Sequence, residues 1–465
     1  MRHLAIASGM LLLAVGMGRA APATPTLSPG DPALGIWRGT VAHADSELRV
    51  SVRIFRENGT LRATFHSADL LMHEQPLDGV QRNGKSVRFT VRDDRPVRFE
   101  GVLDGDSIRG TAHVEALGGV GWAHREARSM SFSLGRAKPA PAPPYAVRDV
   151  QVASSTVRLA ATLYLPSGAG RHAGVVLLQG PSSKRRRDYA FHADQFARAG
   201  LAVLVFERRG TGGSTGDYSS ATYEQLAGDA AAAVAFLRQQ REVDAASVGV
   251  WSVGQGALLA PMVAALASEV RFLVVVSAPG LPPGENAAHR DSSLLAAKGF
   301  DAADIKRTVS LDRRLQKWLG DGEDRAELEA LLVESSTTPW QQASSLPARL
   351  PAGPVPASWD WKGRTLDPAP AWGAVKVPVL ALYGAADELL PAKTNARAVE
   401  RALRNGQNKD VTVKTFPTAN FSLREMPRTP RDPWEWPRAA SGCLELMTGW
   451  MMERVHGQAA SSDRP

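Results

Sequence analysis

Covalent chemistry in this chain has to be sought around a turn of small residues, Ser252-Val253-Gly254-Gln255-Gly256. The turn follows Ser247–Trp251, a β-branched and aromatic run that predicts a buried parallel strand. It precedes Ala257–Leu266, an apolar run rich in helix formers. Strand, tight turn and helix together lift a side chain off the end of a strand, where a serine can act as nucleophile in acyl transfer. The serine this stretch offers is Ser252, in the form Ser-x-Gly. A hydroxyl is a weak nucleophile at its own pKa, so it requires an imidazole to take its proton and an acid to orient that imidazole. Other chemistries find less support. The ten histidines show no His-x-x-x-His or comparable spacing, so no metal is expected. Gly210-Thr211-Gly212 leads into a polar loop instead of opening a helix, which argues against a dinucleotide site, and no cofactor is expected.

The elements that would position this turn belong to the second half of a 465-residue chain with room for two or three domains. Arg2, the apolar run Leu4–Val15 and the small-residue site Gly18-Arg19-Ala20 read as a signal peptide over residues 1–20. That run is shorter than the about twenty residues a membrane span needs, and no transmembrane segment is expected elsewhere. The mature protein is therefore expected to be periplasmic or secreted. Cys443 is the only cysteine, so no intramolecular disulfide can form. The net charge of +8 falls to +6 without the signal peptide. It is spread along the chain apart from Lys184–Arg187, which reads as a solvated loop, and no nucleic-acid partner is expected.

Residues 31–136 read as an antiparallel β-domain, a sandwich or a barrel-like form. Alternating runs such as Leu48–Phe55, Leu61–Phe65 and Ser86–Val91 are separated by Asn58-Gly59, Asn83-Gly84 and Asp104-Gly105. With no polar constellation legible in it, a packing or docking role is favoured over ligand binding. Residues 137–146 form a Pro-rich linker. Residues 147–456 then alternate strands and helices, which implies a mainly parallel sheet with right-handed crossovers. A helical, Pro-punctuated stretch at about 281–372 interrupts that rhythm. The last strand is Val411–Phe416 and the closing helix is expected over Ala439–Val455.

Four segments carry a resemblance to a family of secreted α/β-hydrolases of the esterase and acyl-peptidase kind. They are Phe206–Asp217 (FERRGTGGSTGD), Val248–Ala257 (VGVWSVGQGA), Asp367–Pro370 (DPAP) and Lys376–Pro391 (KVPVLALYGAADELLP). The opening Gly35-Ile36-Trp37-Arg38-Gly39 is similar to the start of the β-domain found in some of these relatives. The resemblance implies an α/β-hydrolase fold, a mainly parallel sheet with a helical cap over the active site, preceded by the small all-β domain.

Laid on the family pattern, the nucleophile position is Gly254, the acid is Asp387 and the histidine position, in Phe416–Leu423, is Phe421. The elbow is expected without its serine and the base position without its imidazole. Gly180 and Gln255 are the oxyanion-hole candidates, although relatives carry His-Gly where this chain has Gln179-Gly180. Ser252 as an alternative nucleophile falls within the strand end and lacks a partner histidine. His192 or His289 could supply one from elsewhere, whereas His456 lies past the closing helix. The preferred reading is a pseudo-hydrolase with a binding or interaction role, open to a small acyl, ester or peptide-like ligand. The rival is an active ester, thioester or peptide hydrolase with an unusual site. Neither the ligand nor the oligomeric state is legible.

Overall fold

Alternation of apolar and polar residues writes the first layer of the molecule. The computed structural model describes residues 30–43, 46–92, 96–114, 128–180, 185–425 and 437–462, the last seven by backbone alone. The expected signal peptide, residues 181–184 and the His456 side chain fall outside that description. Nine antiparallel strands form one sheet: β1 (Gly35–His43), β2 (Ser46–Glu57), β3 (Thr60–Ser67), β4 (Met72–Pro76), β5 (Asp78–Asn83), β6 (Ser86–Val91), β7 (Val97–Asp104), β8 (Ser107–Val114) and β9 (Arg128–Ala137). Their order is β4-β3-β2-β1-β9-β8-β7-β6-β5. Every second residue of β2, from Leu48 through Val50 and Val52 to Ile54, faces one core. β3 also lies against β5, so the sheet curls until its two ends meet, barrel-like. Asn58 and Gly59, both left-handed, make the two-residue turn that the sequence predicts.

Residues 138–144 are exposed throughout and lead to the second sheet. Its strands are β10 (Tyr145–Ser154), β11 (Val157–Pro166), β12 (His172–Leu178), β13 (Ala202–Phe206), β14 (Val243–Val253), β15 (Leu273–Val276), β16 (Val379–Gly384) and β17 (Val411–Phe416). The order is β10-β11-β13-β12-β14-β15-β16-β17, with β10 and β11 antiparallel and the rest parallel. This is the expected α/β-hydrolase sheet. Continuous apolar strands such as β13, buried along their whole length, require cover on both faces. That cover comes from α1 (Ala190–Arg198), α2 (Tyr223–Arg238), α3 (Gln255–Leu266), α9 (Ala392–Asn405) and α10 (Cys443–Ser462).

Between β15 and β16 stand α4 (Pro283–Ala297), α5 (Ala302–Asp321), α6 (Arg325–Ser335), α7 (Pro339–Gln342) and α8 (Ala369–Ala374). α4 to α7 share a core of their own around Leu295, Leu315, Trp318 and Leu332, whereas α8 packs on the core of the sheet through Trp372. The insertion is closed at its base by Trp372, fully buried, whose indole N–H donates to the Pro279 carbonyl at 3.1 Å. The closing helix begins at Cys443, later than the sequence predicts. Arg438–Ala439 instead pairs with Arg424–Glu425 as a short ribbon, and Gly442 is left-handed before the helix starts.

The Phe206–Asp217 segment holds the sheet together. Arg209 makes two hydrogen bonds to the buried Asp229, at 2.7 and 2.8 Å, and Ser154 Oγ donates to the same carboxylate at 2.6 Å. Gly213 N–H donates to the Glu207 carboxylate at 2.7 Å, and a side chain on Gly212 would collide with that group. These residues fasten the end of β10 and α2 to the loop after β13.

Candidate active site

β14 ends at Val253, and the chain turns at Gly254 into α3. Gly254 has φ +54° and ψ −112°, and its N–H donates to the Val276 carbonyl at 2.9 Å. A residue with a Cβ is strained in that region, and elbows that present nucleophiles hold such strain. Gly256 is needed for a different reason. A Cβ there would stand 2.7 Å from the Leu178 carbonyl, so only glycine lets α3 lie this close to β12. The turn thus has the geometry of a nucleophile elbow and carries no side chain.

The space that side chain would occupy is filled. A Cβ built on Gly254 would lie 2.3 Å from Phe421 Cζ. Phe421 follows β17 in a loop shaped by Asn420, whose side-chain oxygen accepts from the N–H groups of Ser422 and Arg424 at 3.1 and 3.0 Å. The ring is partly buried against the cluster that contains Val253, Val276 and Leu423. Glycine at 254 and phenylalanine at 421 are therefore sterically complementary.

Asp387 lies just after β16, buried, at the foot of the same loop. Its Oδ1 accepts from the N–H groups of Leu389 and Leu390 at 2.8 and 3.0 Å. Ser277 Oγ is 2.9 Å from Asp387 Oδ2 and 2.9 Å from the Phe421 carbonyl, which links the acid to the loop. Ser277 was not singled out from the sequence. It holds a left-handed φ of +47° just past β15, and nothing in its sequence neighbourhood signals that role. Burial lifts the Asp387 carboxyl to about 7 in spite of its three hydrogen-bond donors. Its unfolded value is near 3.8, so the stabilisation from the native-state proton is complete below about pH 4. It is lost as pH rises through about 7. The expected contribution is up to about 4 kcal/mol. Urea denaturation between pH 4.5 and 8 should show stability falling more steeply in the native sequence than in Asp387→Asn. Equal slopes would mean the carboxyl titrates normally.

The remaining candidates are arranged differently from a working triad. Ser252 lies inside β14, wholly buried, with its hydroxyl 3.5 Å from the Val274 carbonyl, so a substrate has no approach to it. This corrects Ser252 as a nucleophile: strand pairing on both sides encloses it. Gly180 is corrected as an oxyanion donor, because its N–H points inward and donates to the Tyr189 hydroxyl at 2.7 Å. Gln255 opens α3, where first-turn N–H groups lack helical partners, and its side chain accepts from the Tyr218 hydroxyl at 2.5 Å. His289, from α4, reaches only the Asp387 main-chain carbonyl, at 3.4 Å. His192 is partly buried beside Trp251, ring centres 4.7 Å apart, and desolvation first, then Arg424, pushes it down to about 4. Among the described residues no cluster of three or more metal-ligating side chains occurs.

Comparison with known proteins bears on this arrangement. The profile of the family described as X-Pro dipeptidyl-peptidase (S15 family) matches residues 155–414, more than half of the chain. The quorum-quenching protein AidA of Acinetobacter baumannii is 31% identical over 137 residues, covering 29% of this chain and 44% of that protein. The chain thus matches less than half the length of this curated relative. Among solved structures, acetyl xylan esterase 1 from Thermoanaerobacterium sp. is similar at 16% identity and a TM-score of 0.43, over 69% of this chain and 86% of that one. Est1E from Butyrivibrio proteoclasticus, solved with ferulic acid, is similar at 17% identity and a TM-score of 0.43, over 67% and 99%. The matched stretch runs from the start of β11 into β17 and contains the elbow, the cap and Asp387. On its profile, its strand order and its elbow, the chain belongs to the S15 family of X-Pro dipeptidyl-peptidases and has the α/β-hydrolase fold.

Proposed function

We propose that this protein is a non-catalytic member of its family, a pseudo-hydrolase that binds a small acyl, ester or peptide-like ligand where relatives cut one. The observation that carries the reading is the Phe421 ring, 2.3 Å from the position a nucleophile's Cβ would take on Gly254. A serine without a base stays protonated, and a site whose base position holds a phenyl ring has nothing to accept the proton. Supporting it, the Asp387 carboxylate bonds Ser277, Leu389 and Leu390 in place of an imidazole. The signal-like residues 1–20 support a periplasmic or secreted location.

A fluorophosphonate probe tests the reading on the full chain. The expected outcome is no stoichiometric serine labelling and no turnover of short-chain nitrophenyl esters above background. Labelling that disappears in Ser252→Ala, or ester turnover that survives Gly254→Ala, would establish an active hydrolase with an unusual site.

A further inference from the structure

A cavity of about 1050 Å³ lies between the barrel-like sheet and the strand ends of the second sheet. Ligand sites span roughly 300–1,000 Å³, so this one is at the large end. One wall consists of Leu48, Phe65, Phe99 and Met130, which belong to the buried core of the barrel, so the cavity enters the barrel's mouth. The opposite wall is Trp251, Val253, Leu423, Met447 and the Phe421 ring itself. The sequence favoured a packing role for the β-domain. Here it supplies half of a chamber that continues from the elbow.

The charge at the chamber's edge is uneven. Arg92, Arg128, Arg185, Arg187 and Arg424 line it, against Asp78, Asp188 and Glu388. The acids have neighbours of their own: Asp78 pairs with Arg92 at 2.7 Å, Asp188 accepts from the Arg185 N–H at 3.3 Å, and Glu388 interacts with the Phe421 backbone and, at longer range, with Arg424. Among the described residues no carboxylate lies within 4 Å of the guanidinium groups of Arg185, Arg187 or Arg424. Arg185 and Arg187 are exposed at the entrance, and Arg424 is partly buried beside the Phe421 loop. A ligand with an apolar chain and an anionic end uses both kinds of lining, the chain against the apolar walls and the anion at the arginines.

We propose that this chamber binds a single-chain anionic amphiphile, a fatty-acyl carboxylate. The chain lies against the barrel wall and the carboxylate at Arg185, Arg187 and Arg424. The inference rests on the reading that the site binds without cutting. It names the ligand class and assigns the β-domain a share of the site.

The test is calorimetric titration of the full chain with laurate, with 1-dodecanol of equal chain length as the neutral comparison. Saturable binding of one laurate per chain is expected, about tenfold or more tighter than dodecanol, with a raised melting temperature. The variant Arg185→Gln/Arg187→Gln/Arg424→Gln should lose about tenfold in laurate affinity and leave dodecanol unchanged. Met72→Trp, at the barrel mouth and only partly buried, should weaken both ligands by filling space. Absence of saturable laurate binding, or equal affinity for the alcohol, would overturn the proposal. So would laurate binding indifferent to both variants while their melting temperatures match the native chain. Laurate carries no bond for a hydrolase to cut, so this result is independent of the labelling experiment.

Discussion

Gly254→Ser should destabilise the protein by about 3 kcal/mol, through left-handed strain of about 1–2 kcal/mol and overpacking of about 1–3 kcal/mol. The overpacking has a named partner, since the new Cβ would meet Phe421 Cζ at 2.3 Å. Adding Phe421→His shortens the ring and should return about 2 kcal/mol of the loss, a coupling typical of residues in direct contact. A double-mutant cycle by urea denaturation measures that term, and strictly additive costs would show that the ring swings away without resistance. The same double variant carries serine, acid and histidine in the chain order of the fold. Its turnover of nitrophenyl esters should exceed either single variant by about a hundredfold, because members of a triad act as a unit. Ser277→Ala on top should raise turnover further by releasing Asp387 Oδ2 for the new imidazole. A triple variant slower than the double would show that Ser277 is needed to hold the acid in place.

Trp372→Ala should cost about 3–5 kcal/mol, the range for emptying a fully buried aromatic site. Its indole sits at the base of the cap, 3.1 Å from the Pro279 carbonyl where the insertion leaves the sheet. Asn395 grips the same exit, accepting from the N–H groups of Gly280 and Leu281 at 2.8 and 3.1 Å. Trp372→Phe keeps most of the volume and loses the hydrogen bond, so its cost should be nearer 1 kcal/mol. Limited proteolysis locates the effect. Cuts within residues 281–368 should quicken in Trp372→Ala well before the two sheets open, whereas uniform acceleration would place the tryptophan in the global core alone.

Periodicity made the second sheet legible, because strands buried on both faces read as continuous apolar runs bounded by turns. Flanking residues pointed to Gly254, Asp387 and Phe421 as candidates, and the fold brings these three together. What escaped depends on contacts far apart in the chain. Ser277 meets Asp387 across 110 residues. The Gly180 N–H is consumed by a tyrosine on the helical turn that precedes α1. β4 and β5 were missed because Met72-His73-Glu74-Gln75-Pro76 and Asp78–Asn83 alternate weakly, as edge strands do when one side meets solvent. The chamber was invisible for a similar reason: its lining residues run from Leu48 to Met447, far apart in the chain.

The exposed segment 138–144 sets how firmly those walls must hold each other. Among the described residues, contacts between the two halves include Gln75 Nε2 donating to the Arg187 carbonyl at 2.9 Å and His73 Nδ1 3.9 Å from the buried Asp194. Asp194 also takes the hydroxyl of Tyr145, the first residue after the segment, so the tether ends on the group that receives the barrel. A short Pro-rich tether of about 3 Å per residue confines the barrel to a small volume around its docking face. That confinement corresponds to an effective concentration of the order of millimolar or more, at which weak contacts suffice to keep a joint closed. The tether therefore keeps the two walls of the chamber together as one site.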